Sequence, residues 1–97
     1  PITAGDHVTI KYTGMLAKAG ANQLTLRMGY GHDVWSDVND IPMSKVENGV
    51  FEARAEIPLE QCSRLHFCFV DGSGNWDNNS LRNWSYEIHC GEQAEFR

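Results

Sequence analysis

Two tryptophans sit in stretches that offer no apolar partners in strand phase. Trp35 lies in Tyr30-Gly31-His32-Asp33-Val34-Trp35-Ser36-Asp37, and Trp76 lies in Gly74-Asn75-Trp76-Asp77-Asn78-Asn79-Ser80. Both runs read as polar loops. An indole in such a loop either folds inward as a lid on a core or is presented to a ligand. Two of them in one short chain favour presentation, and a sugar is the ligand class that suits them. A sugar ring has an apolar face of C–H groups that a flat indole covers. It also has an equator of hydroxyls that Asn, Asp, Arg or His side chains can bond. Such a site needs little depth and no matching charge.

Other chemistry has less to stand on. No Gly-rich phosphate loop, nucleophile elbow or paired-histidine metal motif occurs, so no catalytic residue and no cofactor is expected. Glu52, Glu56, Glu60 and Glu87 fall where a solvated strand face or turn puts a carboxylate. The four histidines are scattered, and each reads as a surface or half-buried residue rather than a base. A formal net charge of -5 argues against a phosphate-backbone binder. No stretch approaches a membrane span or a basic amphipathic segment, so neither nucleic acid nor membrane is expected as a partner. Cys62, Cys68 and Cys90 make an odd count, which leaves at least one thiol free within the chain. Cys68 and Cys90 fall in strand-like runs, where cysteine is a small buried hydrophobe. These cysteines with His66 and His89 lack a zinc spacing, and no metal is expected. Three free thiols lean toward a reducing compartment.

The elements that must position the tryptophans are short strands. Val8, Ile10 and Tyr12 alternate with Thr9, Lys11 and Thr13; Leu24, Leu26, Met28 and Tyr30 alternate with Thr25 and Arg27. Phe51, Ala53, Ala55 and Ile57 repeat the period, as do Leu65, Phe67 and Phe69. The last run sets Trp84, Tyr86 and Ile88 against Ser85, Glu87 and His89, which makes Trp84 a core residue. Gly5-Asp6, Gly14, Gly20, Asn48-Gly49 and Asp71-Gly72 punctuate these runs, and Pro58 ends one. The stretch from Leu16 to Ala21 is long enough for one helical turn only. At 97 residues the chain is expected to be a single domain, 1–97. Its fold class is all-β: an antiparallel β-sandwich (immunoglobulin-like) of about seven to eight strands, because alternating strands bury their apolar faces only against a second sheet. The chain opens at Pro1 with no signal-peptide pattern, as expected of a piece of a longer protein.

Trp76-Asp77-Asn78-Asn79, three residues, then Asn83 and an aromatic at Trp84 resemble the W-D-N-N-x-x-x-N-Y signature of starch- and glycogen-binding modules. Leu65-His66-Phe67-Cys68-Phe69-Val70-Asp71-Gly72 resembles their l-x-F-x-F-x-D-G strand. Gly29-Tyr30, Trp35, Pro42-Met43 and Gly49-Val50-Phe51 follow their upstream progression. The chain is most similar to carbohydrate-binding module families 25 and 53, and shares the W-D-N-N part with family 21.

The resemblance implies a β-sandwich that binds α-1,4-glucans (starch, glycogen, maltooligosaccharides) on a shallow surface, without catalysis. It implies Trp35 and Trp76 as the stacking platform. The family's edge histidine falls on Arg27, whose guanidinium can donate to hydroxyls and lie along a ring; His32 in the adjacent loop is a possible substitute. Trp84 stands where the family has tyrosine. Asp77, Asn78, Asn79 and Asn83 are expected to hold the loop through backbone bonds, with Asn78 or Asn79 the better placed to touch ligand. The implied partner is an α-glucan polysaccharide or oligosaccharide, and the chain would be a module of, or partner to, an amylolytic or glycogen- or starch-metabolising enzyme. An extracellular setting follows if that enzyme is a secreted amylase. The other reading is a protein-interaction or regulatory targeting domain on the same sandwich, favoured by Arg27 and the three cysteines.

Overall fold

The five alternating runs all become strands in the computed structural model, which describes residues 2–80 and 82–90. Pro1, Leu81 and residues 91–97, which the sequence reading includes in the domain, lie outside the described residues. The alternating runs are β2 (His7–Tyr12), β3 (Leu24–Tyr30), β6 (Val50–Glu56), β7 (Arg64–Asp71) and β9 (Trp84–His89). Four further strands bring the described total to nine: β1 (Ile2–Thr3), β4 (Ser36–Pro42), β5 (Ser44–Glu47) and β8 (Trp76–Asp77). A single helical turn, α1 (Met15–Lys18), follows β2 and buries Leu16 and Ala17.

The strands form two sheets. The larger runs β1-β9-β7-β3-β4, with β8 also paired to β7; the smaller runs β2-β6-β5. All pairings are antiparallel except β1 with β9. The larger sheet turns Leu24, Leu26, Met28, Tyr30, Leu65, Phe67, Phe69 and Ile88 inward, and the smaller sheet meets them with Tyr12, Phe51, Ala53 and Ala55. This is the layered arrangement that period-two patterning requires.

Four positions depart from the sequence reading. Trp84 is half-buried rather than enclosed, stacked 6.1 Å from Phe67 and edge-on to Phe69 at 5.2 Å. Tyr86, in phase with it, is 48% exposed. The two sheets part along this edge, where Val8, Ile10, Phe67, Trp84 and Tyr86 line a groove of about 640 Å³. Cys62 and Cys90 are bonded to each other, so the expectation of three free thiols is corrected: Cys68 alone is free, buried in β7 as a small hydrophobe. Their Cα atoms stand 5.4 Å apart, because the loop before β7 and the end of β9 lie side by side.

Candidate functional site

The strand register gathers the singled-out residues on the outer face of the larger sheet. Across β3 and β7, Thr25 faces Val70, Arg27 faces Cys68 and Gly29 faces His66. On the flanks, Asp40 of β4 pairs with Arg27, and Trp76 of β8 pairs with Val70. Paired residues share a face, so Arg27, Asp40, Cys68, His66 and Trp76 all project away from the core.

Trp35 completes this face from the loop between β3 and β4. Its indole lies stacked on the His66 ring, 5.6 Å between centroids and 16° between planes. It also rests on Gly29, where an added Cβ would come within 2.9 Å of Trp35 Cε3. Glycine at this position therefore lets the ring lie flat on the sheet. His66 is 9% exposed because Trp35 covers it. Its Nε2 is 2.7 Å from the Gly31 carbonyl; since a carbonyl only accepts, Nε2 carries the proton and donates. The loop is tied further by Gly31 N donating to Arg64 O (3.1 Å) and Ser36 Oγ donating to Tyr30 O (3.1 Å). Asp37, held at φ +50°, accepts from Gln61 Nε2 at 2.7 Å. Gln61 adjoins the bonded Cys62, so the cross-link to Cys90 backs the loop that carries Trp35.

Trp76 is mounted differently. The β7–β8 turn is an Asx turn: Asp71 Oδ1 accepts from the backbone of Ser73 (2.9 Å) and Asn75 (2.8 Å), and Oδ2 accepts from Asn75 Nδ2 (3.0 Å). These bonds, the Asn75 side chain foremost, hold the Asp71 carboxyl below the usual carboxylate range. Beyond the ring, buried Asp77 accepts the Tyr12 hydroxyl at 2.5 Å and the Asn79 amide at 3.2 Å. That same hydroxyl accepts from Leu16 N at 3.1 Å, tying β8 to β2 and α1. Burial first, then the bond to Asp77, pushes the Tyr12 phenol up to about 12. Trp76 itself is 42% exposed.

Between the two rings lies an ion pair. Arg27 Nε donates to Asp40 Oδ1 at 2.8 Å and Nη2 donates to Oδ2 at 3.0 Å, while Arg27 Cζ stands 4.9 Å from the Trp76 ring centroid. Arg27 lowers the Asp40 carboxyl below its ordinary value. The pair cancels its own charge, so the strip between the indoles offers hydrogen-bonding groups at little net charge. From Val70, opposite Trp76, to His66, beneath Trp35, is four residues along β7. At ~3.3 Å per residue the two mounts are about 13 Å apart, longer than a single sugar ring.

The other expected residues fall around this face. His32 is exposed in the Trp35 loop. Asn78 is half-buried, and its carbonyl accepts from Asn83 N at 2.7 Å. Asn79 is exposed at φ +56°, with Nδ2 donating to Asn83 O at 3.2 Å. Asn79 and Asp77 thus hold the loop, as expected. Among the described residues no group of three or more His, Cys, Asp or Glu side chains is arranged to hold a metal. Two residues went unread in the sequence. His66 looked like one more scattered histidine, and Asp40 lay in a run without alternation. The signal for His66 was its place opposite Gly29, which only the strand register supplies.

A family model described as starch/carbohydrate-binding module (family 53) matches residues 8–67, a span that includes Arg27 and Trp35 and stops short of Trp76. The chain belongs to this family. An alpha-amylase of Clostridium acetobutylicum is 37% identical over 84 residues, covering 87% of this chain and 10% of that protein. The chain therefore spans about a tenth of the length of that relative. Among solved structures, that of iodinated CBM25 from a Bacillus halodurans amylase superposes with a TM-score of 0.61 at 23% identity, covering 87% of this chain and 85% of the other. At that identity the likeness speaks for the fold alone, and the starch/carbohydrate-binding family 53 module shares its β-sandwich architecture.

Proposed function

We propose that this module binds α-1,4-glucans on the outer face of its larger sheet, by stacking sugar rings on Trp35 and Trp76, and that it carries out no catalysis. The observation that carries the reading is the pairing of two partly exposed indoles on one sheet face with a self-neutralised polar pair between them. An uncharged, hydroxyl-rich ligand with apolar ring faces fits such a surface, where the one ion pair between the rings neutralises itself. The whole chain, 1–97, acts as one domain in this reading, attached to or partnered with an amylolytic enzyme. The long amylase in which a related segment forms a tenth of the length supports that placement.

The protein-docking alternative drew on Arg27 and three cysteines. Arg27 is engaged by Asp40, and two of the cysteines are joined, which removes those grounds. Calorimetry with maltoheptaose and with cellohexaose tests the proposal. Binding of maltoheptaose in preference to cellohexaose is expected; no heat with maltoheptaose at high concentration would sink it.

A further inference from the structure

Asp40 belongs to no loop and to no motif, yet it is the residue that fixes Arg27. The two side chains meet across adjacent strands in register, and the fork of two bonds sets the guanidinium plane while the Trp76 ring lies against it, 4.9 Å from Cζ to the centroid. Two of the five guanidinium N–H groups are used in that fork; the remaining three have no partner among the described residues. Each Asp40 oxygen accepts one bond from Arg27 and retains capacity for another. The side chains are 42% and 46% exposed. Donors and acceptors thus stand side by side on the strip between the indoles. Neighbouring hydroxyls, each able to donate and accept, are the complement of such a pair. Stacking alone discriminates poorly among glucans, since every pyranose has a C–H face. A polar pair fixed between two rings discriminates by where the chain's shape places its adjacent hydroxyls, which differs between α-1,4- and β-1,4-linked glucose.

We propose that Asp40 is a ligand-contacting residue that sets sugar specificity: with Arg27 it reads two adjacent hydroxyls of the glucose unit seated beside Trp76, Arg27 donating and Asp40 accepting. The proposal rests on the α-glucan reading above. Arg27 keeps the Asp40 carboxyl ionised further into acid than an ordinary aspartate, which preserves it as an acceptor. An exposed ion pair on the edge strand β4 adds little to stability, so its removal separates binding from folding.

The test is calorimetry of the whole chain with maltoheptaose and cellohexaose, for the wild type, Asp40→Ala, Arg27→Ala and the double variant, alongside thermal melts. Asp40→Ala is expected to bind maltoheptaose about tenfold more weakly, the scale of one hydrogen bond to a charged group, and to prefer it less over cellohexaose. Its melting midpoint should stay within about 2 °C of wild type. Introducing Asp40→Ala into the Arg27→Ala variant should cost a further factor of about three or more. Wild-type affinity in Asp40→Ala would overturn the proposal and leave the glucan reading intact. So would a loss that vanishes in the Arg27→Ala background, because Asp40 would then act only by aiming Arg27. Failure of the wild type itself to bind maltoheptaose would overturn both.

Discussion

Trp35 and Trp76 share a sheet face, yet one is held by what lies beneath it and the other by what lies beside it. Trp35 rests flat on His66 and Gly29 and depends on a loop braced from outside by Gln61 and the Cys62–Cys90 bond. Trp76 stands on a two-residue strand, and Asp71 before it and Asp77 beside it in the strand lock the turns on either side through their own carboxylates. A ring laid on a sheet is placed by tertiary contacts that arrive late in the sequence. A ring on an Asx-locked hairpin is placed mostly by its nearest neighbours, with one long-range tie from Asp77 to Tyr12. The first mount should therefore be sensitive to changes in several distant residues, and the second to local ones and to Tyr12.

The largest effect that separates the mounts is loss of the cross-link. Cys62 and Cys90 close a loop of 28 residues, so reduction or Cys62→Ser is expected to cost about 3–4 kcal/mol in urea unfolding. Below the transition the variant should bind sugar more weakly through Trp35 while the signals of the Trp76 hairpin stay put; a shift confined to Trp76 would reverse the comparison.

Next comes the buried tie beneath Trp76. The Tyr12 phenol is raised from 10.0 to about 12, so its neutral form contributes stability that is complete below pH 10 and lost as pH rises through about 12. The loss amounts to about 2–3 kcal/mol, and Tyr12→Phe, which cannot donate to Asp77, should abolish that alkaline step. Alkaline melts of the two proteins check it, and an unchanged step in the variant would assign the effect elsewhere.

Truncating the rings is a finer probe. Each of Trp35→Ala and Trp76→Ala should weaken glucan binding by about 2 kcal/mol, roughly thirtyfold. Only Trp35→Ala should also lower stability, by about 1–2 kcal/mol, since it uncovers His66 and Gly29 while Trp76 is already 42% exposed. Equal stability losses would show that both rings are packed alike. The smallest change is Gly29→Ala: its Cβ would press on Trp35 at 2.9 Å and should shift that indole at a cost of about 1 kcal/mol. The Trp35 indole N–H signal in a proton–nitrogen correlation spectrum reports it, and an unmoved signal would mean the ring does not rest on Gly29.

What the sequence revealed follows the same division. The five alternating runs and the local Asx loop were legible because each rests on spacing between near neighbours, at Leu24 to Tyr30 or Asp77 to Asn79. Edge strands were not. Ser36–Pro42 and Ser44–Glu47 are almost wholly exposed, so no buried face imposes alternation on them. The Asp40 partnership was hidden with β4. The mount of Trp35 was hidden because His66 becomes its floor only through the pairing of β3 with β7. The disulfide joins residues whose proximity depends on where β9 ends, which spacing alone does not disclose.

The chain has three tryptophans, and they give three indole N–H signals in a proton–nitrogen correlation spectrum. Titration with maltoheptaose is the most direct test of a two-ring platform. Trp35 and Trp76 should move together along one binding curve while Trp84, stacked on Phe67, stays fixed. Movement of Trp84 alone, or of none of the three, would contradict it.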